Sequence, residues 1–167
     1  MQFKDLKSLQ KHVEEIAPIY LTGSSVGDVL AKTMRNSVKE VVYKPRKPKK
    51  YKRRKNDGGL SDMRNMQWTS FSVKDGVLSL VFENLTTGQT HQIPIYDNPV
   101  DSMEGQYITD LIEEGAVGGS GEWYDYSGEW IAPRPFVADA IKKLKSNPAP
   151  LQEGIKKAFR KAGFKTK

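Results

Sequence analysis

Apolar residues recur at helical spacing toward both ends of the chain and at strand spacing in its middle. From Phe3 to Ala17, Leu6, Leu9, Val13 and Ile16 fall on one helical face, and Pro18 reads as the stop. A longer helix is predicted from Ser25, where Asp28 three residues on suggests a capping box, to about Tyr43, before Pro45. Its stripe is Val26, Val29, Leu30, Met34, Val38, Val41 and Val42, and Met34 on that stripe reads as core rather than as a ligand. After Trp68 the period changes. Phe71 and Val73 lead into Lys74-Asp75-Gly76, a hairpin signal, and Val77 to Phe82 returns apolar on both faces, which predicts a central strand. Thr86-Thr87-Gly88 turns again, and Gln89 to Tyr96 predicts a third strand, with Pro94 at an edge or end. Together these make an antiparallel meander. Ile108 to Ile112 is a short apolar segment, helix or strand. Beyond Trp130 the helical period resumes. Pro135 suits a first helical turn, and Phe136, Val137, Ala140, Ile141 and Leu144 share a face, with Phe136, Ile141 and Leu144 expected in the core. Ser146-Asn147-Pro148 is a break. A last helix from Pro150 carries Leu151, Ile155, Ala158, Phe159 and Ala162, with Gly163 as its cap.

Charge divides this pattern into blocks. The net charge is +7, yet Lys44, Arg46, Lys47, Lys49, Lys50, Lys52, Arg53, Arg54 and Lys55 are nine cations without an intervening acid, and without them the remainder is −2. Two prolines and dense like charge predict an exposed, extended arm, ended by the turn Asn56-Asp57-Gly58-Gly59. Asp97 to Glu129 holds nine acids and no Lys or Arg. Within it, glycines surround Trp123, Tyr124, Tyr126 and Trp130. Aromatics in an acidic, glycine-rich loop suit either contact with another chain or a fold back onto the chain's own core. The last segment, from Arg134, is basic again, and Arg134 is held between two prolines.

Composition excludes much chemistry. The 167 residues include no cysteine, so disulfides and thiolate metal sites are ruled out. His12 and His91 have no second histidine at ligand spacing. No glycine run is followed by Lys-Ser/Thr, so no phosphate loop is predicted. Glu113-Glu114 are adjacent carboxylates of the solvated kind, and Asn84-Leu85-Thr86 is a glycosylation triplet without a secretory context. The expectation is a protein with no enzymatic activity and no cofactor or metal. With no signal-like or membrane-length apolar run, it is expected to be soluble, made in the cytoplasm and free of membrane contact.

The order of features resembles a known family. Val42-Tyr43, Tyr51-Lys52-Arg53-Arg54, Gly58-Gly59-Leu60, a strand pair, Ile112-Glu113-Glu114-Gly115 and Ala132-Pro133-Arg134-Pro135-Phe136-Val137 follow one another as in the HK97 gp10-like family of tailed-phage proteins. The likeness covers roughly residues 25 to 163, and Glu-Glu-Gly and Arg-Pro-Phe are its most specific pieces. It implies an α+β fold, a curved antiparallel sheet with packed N-terminal and C-terminal helices plus long charged loops. The chain then divides as one domain over 1–167: helices in 1–43, the basic arm in 44–59, the sheet core in 66–115, the acidic aromatic loop in 116–131 and helices in 132–163. The resemblance implies a tail completion or head–tail joining protein of the virion. Such a protein forms a homo-oligomeric ring, sixfold by the likeness, around the DNA channel at the neck, against connector or stopper and tail-tube or terminator proteins. A tail terminator is the alternative in the same class, and a basic nucleic-acid-binding protein the alternative in another. The expected subunit or neck interface comprises the nine arm cations, Glu113, Glu114, Trp123, Tyr124, Tyr126 and Arg134. The arm is expected to engage an acidic surface, a neighbour's Asp97–Glu129 or a neck protein, with DNA as the competing use.

Overall fold

The computed structural model describes residues 4–45, 53–74, 77–88, 107–115 and 132–166. Its elements follow as α1 (Leu6–Thr22), α2 (Ser25–Ser37) running into a π-helical turn (Val38–Tyr43), a 3-10 turn (Met63–Asn65), β1 (Met66–Lys74), β2 (Val77–Asn84), α3 (Thr109–Glu114), α4 (Phe136–Ser146) and α5 (Ala149–Lys161). The fold is α+β, with the helices packed against an antiparallel hairpin.

Helix α1 starts later and runs further than its apolar period predicts. Asp5 caps it: the Ser8 N–H donates to the Asp5 carboxylate at 2.7 Å, and the Asp5 N–H donates to the Ser8 hydroxyl at 3.3 Å. Pro18 lies inside the helix rather than ending it. It is buried, as are Ala17 and Leu21, and that burial offsets the backbone hydrogen bond that proline cannot make. The Thr22 hydroxyl donates to the Pro18 carbonyl at 2.7 Å, and the helix ends at Gly23.

Helix α2 is the spine. Its cap is Ser24, not Ser25: the Ser24 hydroxyl accepts from the Val26 N–H at 3.2 Å and donates to the Leu21 carbonyl at 2.7 Å. Three residues beyond this cap stands Gly27, so Asp28 forms no capping box. Helical structure continues to Tyr43 as expected, with its last six residues wound as a π-helix. The two halves of the spine serve two apolar clusters. Ala31, Met34, Val38 and Val42 pack with Leu60, Met66, Phe136 and Ala140, whereas Val26 packs with Ala17, Leu21 and Ala158.

The hairpin pairs Met66 with Asn84 through to Lys74 with Val77, and the register slips between Trp68 and Ser70. Such a bulge bends a strand, in keeping with a curved sheet. Trp68 and Phe82 meet edge to face at 5.0 Å. Among the described residues β2 pairs with β1 alone, and it alternates half-buried Leu78, Leu80 and Phe82 with exposed Val77 and Val81. One face of β2 is therefore exposed, not covered on both faces as its composition predicts. The third strand expected at Gln89–Tyr96 lies outside the described residues. The segment left open as helix or strand is α3.

Helix α4 is rotated relative to expectation. Phe136 and Ala140 are buried, but Ile141 is 47% exposed, and Leu144 is half-buried. Lys143 turns inward instead, with its ammonium 2.7 Å from Asp139, 2.5 Å from Glu40 and 3.3 Å from the Ser37 hydroxyl. A polar residue on the inner face wins because its charge is answered from both α4 and the π-helical turn. Hydrogen bonds from Lys143 and from Ser37 hold the Asp139 carboxyl below the usual range. Burial works against the Lys143 charge, but its bonds to Asp139 and Glu40 outweigh this and raise its pKa. Asn147 ends α4, and α5 begins at Ala149, so the expected break is present. Gly154 lets α5 approach α2, since a Cβ there would stand 3.3 Å from Val26 Cγ2.

Candidate functional site

The described residues among those singled out by charge and resemblance belong to, or lie beside, three segments of the chain. The first is the basic arm. It departs after Tyr43–Pro45 and returns at Arg53, whose guanidinium donates to the Tyr43 carbonyl at 3.0 Å and lies 4.9 Å from the centre of the Tyr43 ring. A carbonyl and an aromatic face together fix the returning cation. Arg54 follows, and it donates to the Thr87 carbonyl at 2.5 Å. The C-terminal end of the arm is thus docked rather than extended into solvent, because two of its guanidiniums find half-buried acceptors. Lys44 and Lys55 are exposed, as expected.

Thr87 is also the base of the second segment. It bridges antiparallel to Tyr107, and the Ile108 N–H donates to the Thr86 carbonyl at 3.0 Å. Behind this bridge lies a buried polar hub. The Asn84 amide donates to the Leu60 carbonyl at 2.8 Å, and its oxygen accepts from the Thr86 N–H at 3.1 Å and hydroxyl at 2.6 Å. Asn65 donates to the Thr86 hydroxyl at 3.1 Å, and the Thr109 hydroxyl donates to the Asn84 carbonyl at 2.5 Å. One asparagine therefore ties the start of the hairpin, the end of β2 and the start of α3.

The third segment is flanked by Gly115, which has φ +78, and Ala132. Its base is clasped by the Arg134 N–H donating to the Ile112 carbonyl at 2.8 Å. Glu113 completes the clasp, its two carboxylate oxygens accepting from the Val137 and Ala138 N–H groups at 2.9 Å each. Pro135 occupies the cap position of α4, not its first turn, and offers no side-chain acceptor. Glu113 supplies the cap from another element, where the positive end of the helix dipole favours its charge. The two most specific pieces of the family resemblance are thus held side by side: Glu113 of Glu-Glu-Gly bonds the two residues after Arg-Pro-Phe, and Arg134 bonds the residue before Glu-Glu-Gly.

The turn that follows the arm is built on Asp62. Its buried carboxylate accepts from the Gly58 N–H at 2.7 Å, the Arg64 N–H at 3.0 Å and the Arg64 guanidinium at 2.6 Å. The Arg64 hydrogen bond, against a smaller cost of burial and with help from the two backbone donors, holds Asp62 far below the usual carboxylate range. Gly58 supplies the φ of +70 that the turn requires.

Of the expected interface residues, Lys44, Lys55 and Glu114 are exposed, whereas Arg53, Arg54, Glu113 and Arg134 are half-buried in the bases just described. Arg46, Lys47, Lys49, Lys50, Lys52, Trp123, Tyr124 and Tyr126 lie outside the described residues, as does His91. Asn84, Asp62 and Lys143 carry the architecture without having been singled out. Asn84 with Thr86 two residues on is an Asx-turn signal, which the glycosylation reading obscures. Among the described residues, no group of three or more His, Asp or Glu side chains is placed to hold a metal ion. No helix among them is long and apolar enough to cross a membrane. What the geometry does is tie distant parts of the chain together through polar side chains.

No curated protein and no solved structure matches the chain. A family model does, over residues 5–162, which runs from the cap of α1 to the cap of α5. It points to phage, as the sequence resemblance does, but not to the HK97 gp10-like family itself. The chain belongs to the YomN family, a phage-associated protein family.

Proposed function

We propose that this phage-related protein is a structural subunit of the virion neck, a tail completion or head–tail joining component assembled as a ring around the DNA channel. One observation carries the reading: Arg54 at the end of the basic arm bonds Thr87, and the hub of Asn84 and Thr86 beside it also holds the start of α3, the helix that leads to the acidic aromatic loop. A subunit bearing opposite charge on two such segments can satisfy each against a neighbour's, a head-to-tail contact that closes a ring when the rotation allows. The order of motifs shared with the HK97 gp10-like proteins and the phage-associated family both support this class. Lys44, the arm, Glu114 and the aromatic loop are the contacting residues in this reading. Arg53, Arg54, Glu113 and Arg134 position them.

Charge exchange tests it. Lys47, Lys49 and Lys50 changed to Glu should abolish the ring seen in native mass measurement. Adding Glu122→Lys, Asp125→Lys and Glu129→Lys should restore it. A monomeric wild type, or a first variant that still forms rings, overturns the reading. Rings found capping detached tail tubes would replace head–tail joining by tail termination.

A further inference from the structure

Beyond the neck reading stands the charge of the C-terminal helices, which that reading leaves unused. From Ile141 onward the sequence carries nine cations and a single acid, Glu153. Two of the cations are answered within the structure: Lys143 by Asp139 and Glu40, and Arg160 by Glu153 at 3.4 Å. On α5 the inward face is spent on packing, with Gly154 and Ala158 buried and Leu151, Ile155 and Phe159 half-buried. The opposite side exposes Lys157, Arg160 and Lys161, with Arg160 and Lys161 three and four residues from Lys157 and so each beside it. Lys156 is half-buried at their margin, and exposed Lys165 continues the run past the helix end.

The composition of this face separates two kinds of partner. Protein interfaces draw their affinity from aromatic and large aliphatic anchors set in pockets. Besides Ala149 and Pro150 at its start, α5 exposes only Gln152, Glu153, Lys157, Arg160 and Lys161, none of which is such an anchor. A nucleic-acid backbone asks for no anchor: cations that neutralise phosphates and release counterions suffice, without base recognition. We propose that the outer face of α5, centred on Lys157, Arg160 and Lys161, is a sequence-independent binding surface for the phosphate backbone of duplex DNA. Three such contacts, with Arg160 exchanging its exposed Glu153 partner for phosphate, make binding steeply salt-dependent, with affinity falling about 40-fold between 50 and 200 mM salt. The surface therefore holds DNA loosely at physiological salt.

The test uses the full chain and a short mixed-sequence duplex, with binding followed by fluorescence anisotropy across salt concentrations. The variant K157Q/R160Q/K161Q alters exposed helical positions with little change in helix propensity. It should reduce the slope of log affinity against log salt by about 0.9 for each cation removed. The control K4Q/K7Q/K11Q removes the same charge from exposed positions at and before α1 and should change the slope far less. Equal losses in the two variants, or a wild-type slope in the α5 variant, overturns the proposal. Poly-L-glutamate serves as the acidic-protein probe: loss of its binding with DNA binding intact would assign the face to a protein and overturn the proposal. Native mass on the same samples reports on the ring separately.

Discussion

A buried carboxylate persists only where its charge is answered, and at Asp62 two backbone donors and a guanidinium answer it. Its folded pKa lies below the unfolded value, so its contribution is complete above the unfolded pKa of about 4 and is lost as pH falls below it. D62N should cost about 1–3 kcal/mol at neutral pH and flatten the acid limb of the stability profile, read by urea unfolding at several pH values. Asn84 works without charge. Both its amide donor and its oxygen are used inside the fold, and N84A leaves the Leu60 carbonyl and the Thr86 N–H buried without that partner. The expected loss is about 2–3 kcal/mol in the same assay. A cost near zero would mean that water replaces the amide at both positions.

At the scale of elements, the informative cases are those where one element completes another. Helix α4 begins at a proline cap with no acceptor, and Glu113 of α3 supplies one. E113A should destabilise by about 1 kcal/mol and speed hydrogen exchange at the Val137 and Ala138 amides. Exposed Glu114 changed to Ala should stay within about 0.5 kcal/mol of wild type. Equal effects of the two would remove the cap from the account of α4. The crossing of α2 and α5 depends on the missing side chain of Gly154, because Val26 already lies at 3.3 Å from where a Cβ would stand. G154L should therefore cost about 1–3 kcal/mol through overpacking, despite leucine's better helix propensity. Thermal unfolding gives the sign directly, and stabilisation would show that the helices part easily.

For the whole molecule, the basic arm separates into two kinds of residue. Arg53 and Arg54 belong to the fold, since one closes the arm against Tyr43 and the other joins it to the base at Thr87. R54A should lower stability by about 1–2 kcal/mol by leaving a half-buried carbonyl unanswered. Lys47, Lys49 and Lys50 belong to assembly in the proposed reading. Their reversal should leave the melting temperature near that of wild type while dissociating the ring. Calorimetry beside native mass measurement separates the two classes, and a large drop in melting temperature on reversal would merge them.

The positions of the helices and of the hairpin were legible in the sequence because burial imposes its period locally, through residues a turn or a pleat apart. The reach of the spine to Tyr43, the antiparallel pairing of β1 with β2 and the break before α5 follow from such short-range signals. Tertiary structure decided what depends on atoms brought from afar. Pro18 is a helix breaker by its own chemistry and sits inside α1 because packing covers it. Lys143 lies against the end of the spine because Ser37 and Glu40, more than a hundred residues earlier, answer its charge there. Glu113 reads as a solvated acid until α4 presents it with two N–H groups, and Arg54 as a solvated cation until Thr87 presents a carbonyl. Periodicity records which residues avoid water, whereas a hydrogen bond records which two groups meet, and only the closed fold sets the second.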